Sequence, residues 1–141
     1  MKNVKIEIDS IVEDLDDAGL VENSDKTHTK ADGILESKDG ILTVSYSETA
    51  EDVTTKSDII IKDSEIEVVR SGGAEYDFHF LEGKSTTAIY TVPPYSFDTE
   101  IYTRKIRKDV GASSVKIALI YDMTIGGAKK KTRMNITVSE K

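Results

Sequence analysis

The run Val115-Lys116-Ile117-Ala118-Leu119-Ile120-Tyr121-Asp122-Met123-Thr124-Ile125 decides the fold, because its larger apolar residues recur at every second position. A period of two sends alternate side chains to one face of an extended strand, whereas a helix needs a period near ~3.6. Val115, Ile117, Leu119, Tyr121 and Met123 therefore share one face, with Lys116 and Asp122 on the other.

The same rhythm extends outward from this run in both directions. Val4, Ile6 and Ile8 alternate with Lys5, Glu7 and Asp9; Tyr76, Phe78 and Phe80 alternate with Asp77 and His79; Met134, Ile136 and Val138 close the chain. Enrichment in Ile, Val, Thr and Tyr suits strands. Charged partners on the second face mean that it meets water, which favours an antiparallel sheet over a helix-covered parallel one. Short hairpin signals separate the runs, at Asp39-Gly40, Asp63-Ser64, Glu82-Gly83 and Gly126-Gly127.

The pattern predicts about ten strands, at 3–12, 26–37, 40–48, 54–62, 65–70, 75–82, 85–92, 96–107, 114–125 and 128–139. Each pairs with its neighbour in sequence. An even number of strands brings the first and last out side by side, where pairing removes both exposed edges. The expected fold is all-β: an antiparallel meander β-barrel of about 8–10 strands, one domain over residues 1–141. The turns at 39–40, 63–64 and 82–83, with the 108–113 loop, gather at one end. Loops 13–25, 49–53, 71–74, 93–95 and 126–127 gather at the other, the expected binding end.

Composition narrows the function classes. A formal charge of -7 repels phosphate, so neither nucleic acid nor an anionic membrane surface is an expected partner. The absence of cysteine removes thiol catalysis and cysteine-ligated metals. Met1-Lys2-Asn3-Val4-Lys5-Ile6-Glu7 spaces charges through the amino terminus, and no apolar run is long enough for a transmembrane helix, so the cytoplasm is the expected location. The charged outer faces are unlike those of an outer-membrane barrel.

No nucleophile elbow, phosphate-cradling glycine loop or metalloprotease helix is present, and the pattern implies no catalytic residue, cofactor or metal. His28 and His79 both read as surface histidines. Glu13-Asp14-Leu15-Asp16-Asp17-Ala18-Gly19 begins like a calcium loop but lacks the later ligands, which leaves a solvated acidic loop. The basic clusters Arg104-Lys105-Ile106-Arg107-Lys108 and Lys129-Lys130-Lys131-Thr132-Arg133 are expected at opposite ends of the barrel.

Arg70 stands out, since alternation from Ile66 and Val68 turns it towards the same inner face. With Tyr90, Tyr95 and Tyr102 as candidate companions, it makes a candidate ligand-binding group able to hold a carboxylate. The other reading places Arg70 at a frayed strand end, reaching water or an acidic loop.

The central stretch from Tyr90-Thr91-Val92-Pro93-Pro94-Tyr95 through Glu100-Ile101-Tyr102-Thr103 to Ile106, followed by Ile125-Gly126-Gly127 and Asn135-Ile136-Thr137-Val138, resembles the YwiB-like family of small bacterial proteins. That family is a domain of unknown function with a calycin-like, lipocalin-type barrel. The resemblance implies a meander barrel and supplies no reaction or ligand. Two functions follow: a binding protein that holds a small apolar or amphipathic ligand inside the barrel, or a filled barrel that serves as a protein-interaction or structural module.

Overall fold

A computed structural model describes residues 1–141. It contains ten strands: β1 (Lys2–Leu15), β2 (Val21–Lys38), β3 (Ile41–Ala50), β4 (Val53–Ile61), β5 (Ile66–Ser71), β6 (Tyr76–Phe80), β7 (Ser85–Val92), β8 (Tyr95–Val110), β9 (Ser114–Ile125) and β10 (Ala128–Glu140). All pairings are antiparallel, in the order β6-β5-β4-β3-β2-β1-β10-β9-β8-β7. The first and last strands pair as expected, from Val4↔Glu140 to Leu15↔Lys129. No helix is long and apolar enough to cross a membrane.

The Val115–Ile125 run lies in β9, with Val115, Ile117, Leu119, Tyr121 and Met123 buried in the core. They meet Val4 and Ile6 of β1, Ile59 and Ile61 of β4, and Phe78 and Phe80 of β6. Burial of apolar area at about 25 cal/mol per Å² is the main term holding these faces together.

Closure differs from the expectation in one place. β6 and β7 adjoin but form no ladder, so the barrel is nearly closed, with a seam between them. Glu75 and Thr91 exchange two backbone hydrogen bonds of 2.8 and 2.9 Å, and Thr86 Oγ1 donates to the His79 carbonyl at 2.6 Å. Below them the Leu81–Lys84 turn is drawn to β8: the Gly83 amide donates to the Thr103 carbonyl at 2.7 Å, and the Thr103 amide donates to the Lys84 carbonyl at 3.1 Å. The turn that would continue a β6–β7 hairpin is already committed to another strand.

The expected 13–25 loop is instead a hairpin arm. β1 and β2 stay paired to Leu15↔Val21, and the turn is held by Asp16 Oδ1, which accepts from the Ala18 and Leu20 amides at 2.9 and 2.8 Å. Val21–Asp25 are exposed along their whole length, so they carry no apolar alternation, while Glu13–Leu15 remain paired with β10. β2 pairs with β3 only from Gly33↔Tyr46 to Lys38↔Ile41. Above Gly33 the two strands part, leaving a split in the barrel wall.

β8 carries a bulge at Arg104: Thr103 faces Tyr121, yet Lys105 faces Ile120. The extra residue switches the inward positions, so Thr103 is buried before it and Ile106 packs on the core after it.

Candidate functional site

The interior is filled by aromatic rings in its middle. Phe80 lies 4.7 Å from Tyr121 and 6.4 Å from Phe78, the latter edge-on. Against these rings lies a cavity of about 280 Å³, with Ile59, Val68 and Ile136 on its apolar wall. Its polar margin is Ser10, Thr27, Thr29, Tyr46, Arg70 and Tyr76. Thr27 and Thr29 belong to β2 and Tyr46 to β3, so the cavity is bounded by both sides of the split. A larger concavity of about 630 Å³ lies on the outer sheet surface by Arg107, Lys116 and Asn135, open to water.

Arg70 is the cation of the cavity. The ladder sets Ser57, Arg70 and Tyr76 side by side across β4, β5 and β6. Its Nε donates to Ser57 Oγ at 3.2 Å, and the guanidinium carbon stands 5.6 Å from the centre of the Tyr76 ring. Burial alone would lower its pKa, but Tyr76, Tyr46 and Glu48 outweigh that and raise it, so the side chain is a permanent cation. Arg70 enters none of the chain's ion pairs. Burial raises the Tyr76 hydroxyl, despite the lowering influence of Arg70, and keeps it a neutral donor.

The companions of Arg70 are thus Tyr76 and Tyr46. Tyr90 joins through stacking, its ring 5.6 Å from that of Tyr76. Tyr95 and Tyr102 do not join: Tyr95 is 66% exposed beyond the rim, and Tyr102 is 40% exposed on the outer face, opposite in direction to buried Ile101 and Thr103. Alternation read Tyr76 as a core aromatic; that it is the direct cross-strand neighbour of Arg70 follows from the Gly72–Glu75 connection between β5 and β6.

On the outer face of the same two strands, His79 meets Glu65 and Glu67, and Asp77 lies two residues away. His28 pairs with Asp9 on β1. The acidic stretch is engaged structurally, with Asp14 accepting from Lys130 at 2.7 Å. The two basic clusters, expected at opposite ends, adjoin: Ile120 of β9 has Lys105 on one side and Arg133 on the other. Two strand spacings, about 10 Å, separate these cations. Arg104 is neutralised by Asp122 at 2.7 Å.

A ten-stranded antiparallel meander with a small cleft under one arginine defines a β-barrel domain with an internal candidate site. The chain matches the model described as "Domain of unknown function (DUF1934)" over residues 11–136, and it belongs to that family. It is 23% identical over 136 residues to the "Uncharacterized beta-barrel protein YwiB" of Bacillus subtilis (strain 168), spanning 96% of this chain and 91% of that protein. The crystal structure of the ywiB protein from Bacillus subtilis matches with a TM-score of 0.85 and 24% identity, over 99% of this chain and 92% of that one. At this identity the structural likeness establishes the barrel fold alone.

Proposed function

We propose that the protein binds a small amphipathic carboxylate inside the barrel, its acid group at Arg70 and its apolar body against Ile59, Phe78 and Phe80. The single observation that carries this reading is a guanidinium turned into a largely apolar cavity with no carboxylate at ion-pair distance, Glu48 acting on it only from farther away. Drawing a cation out of water is costly unless it is paired, and an acid guest supplies the pair. Tyr46 and Tyr76 add hydroxyl groups on the same margin. The volume of about 280 Å³ lies just under the common range of about 300–1,000 Å³ for ligand pockets, which restricts the guest to a short chain or a single ring.

Native mass spectrometry of protein purified without detergent tests the proposal. An acid of low mass, retained by the wild type and absent from Arg70→Met, is the expected result. Protein that carries nothing and takes up no octanoate would overturn it.

A further inference from the structure

We propose that Glu67, Asp77 and His79 form a binding site for a divalent transition-metal cation on the outer face of β5 and β6, separate from the interior cavity. Glu67 and His79 are direct cross-strand partners, and Asp77 precedes His79 by two residues on the same strand face. The three ligand atoms lie within 4.8 Å of one another. His79 Nε2 is 3.3 Å from Asp77 Oδ1 and 3.6 Å from Glu67 Oε2. Ligands bound about 2.1 Å from a cation stand roughly 3.0–3.4 Å apart in octahedral or tetrahedral geometry, so small side-chain rotations complete the site.

A second observation separates this group from an ordinary acidic cluster. His79 Nδ1 donates to Glu65 Oε1 at 2.5 Å, which fixes the ring and turns Nε2 towards the Asp77 and Glu67 carboxylates, at 3.3 and 3.6 Å. A carboxylate behind one histidine nitrogen is the usual support for a metal on the other. Lys62 sits on the far side, 3.4 Å from Glu65 Oε2 and 3.1 Å from Glu67 Oε1, so each glutamate gives Lys62 one oxygen and keeps the other for the histidine side. Glu67 is largely shielded, with 13% of its side chain exposed, and the strand pair holds it in place. One imidazole and two carboxylates suit zinc, cobalt(II) or nickel, with water completing the coordination.

Calorimetric titration of EDTA-stripped protein with zinc chloride, backed by the visible absorption of the cobalt(II) form, tests the site. One ion per chain is expected, with affinity reduced by about tenfold or more in His79→Ala and in Asp77→Asn, and by roughly tenfold in Glu65→Gln. His28→Ala should bind as the wild type does. Two ligand variants are used so that a folding defect in one, seen by circular dichroism, leaves the other decisive. Absence of saturable binding up to millimolar zinc, or binding that survives His79→Ala and is lost in His28→Ala, would overturn the assignment.

Discussion

Arg70 and Tyr76 face each other across the β5–β6 hairpin, with the guanidinium carbon 5.6 Å from the ring centre. The pair joins a charge to an apolar surface at the margin of the cavity, and a half-buried cation that meets tyrosines and one serine hydroxyl, with Glu48 acting only from beyond ion-pair distance, has room for a direct anionic partner. Arg70→Met should therefore abolish acid binding while leaving the melting temperature unchanged, or raising it by a few degrees. Thermal unfolding followed by circular dichroism checks this. A large loss of stability would mean that Arg70 serves the fold and not a guest.

Gly33 forms the last β2–β3 pair before the strands part, and the close approach there needs a residue without a side chain. A Cβ there would strike the Ser45 carbonyl oxygen and lie 2.7 Å from Ile6 Cδ1, so backbone must shift. Gly33→Ala should cost about 2 kcal/mol or more, in the range of overpacked cores. At ~3 °C per kcal/mol for a domain of this size, the melting temperature falls by about 6 °C.

Thr103 contributes an orphan. Its Oγ1 is buried and has no hydrogen-bond partner, although its backbone amide and carbonyl tie the Gly83–Lys84 turn to β8. An unsatisfied buried hydroxyl costs about 1–3 kcal/mol. Thr103→Val keeps the shape and should stabilise the protein by about 1 kcal/mol in urea unfolding. Serine at the same position keeps the hydroxyl and should show no gain.

Alkaline pH should weaken the fold through its tyrosines. Burial raises the hydroxyl pKa of Tyr121 and of Tyr76 above the unfolded value of 10.0. A raised folded pKa gives stability that is complete below the unfolded value and is lost as pH rises through the folded one. Urea midpoints should hold up to about pH 9 and fall above about pH 10, and Tyr121→Phe should flatten that fall.

Alternation made β9, the β1–β10 closure and most strand limits legible, because a period of two is a local property of consecutive residues. What it missed depends on partners distant in sequence. The Val21–Asp25 portion of β2 faces solvent and carries no apolar rhythm, so its pairing with Val12–Leu15 of β1 lies outside the strands predicted at 3–12 and 26–37. Nothing in Arg104-Lys105 marks a bulge, since both residues are polar and either could face out. The approach of Lys105 to Arg133 rests on the register of β9 between them, as does the neighbourhood of Glu67 and His79 on that of β5 with β6. Arg70 could be recognised as inward-facing, whereas its partners Tyr46 and Tyr76 required the ladder.

The most direct test of the carboxylate site compares octanoate with 1-octanol by isothermal titration calorimetry, two guests alike in chain and different in charge. A hydrogen bond to a charged group contributes about 1.5–3 kcal/mol, so octanoate should bind wild-type protein roughly ten- to hundredfold more tightly, and Arg70→Met should erase the difference. Equal binding of both guests to the wild type, or a preference for octanoate that survives Arg70→Met, would contradict the account.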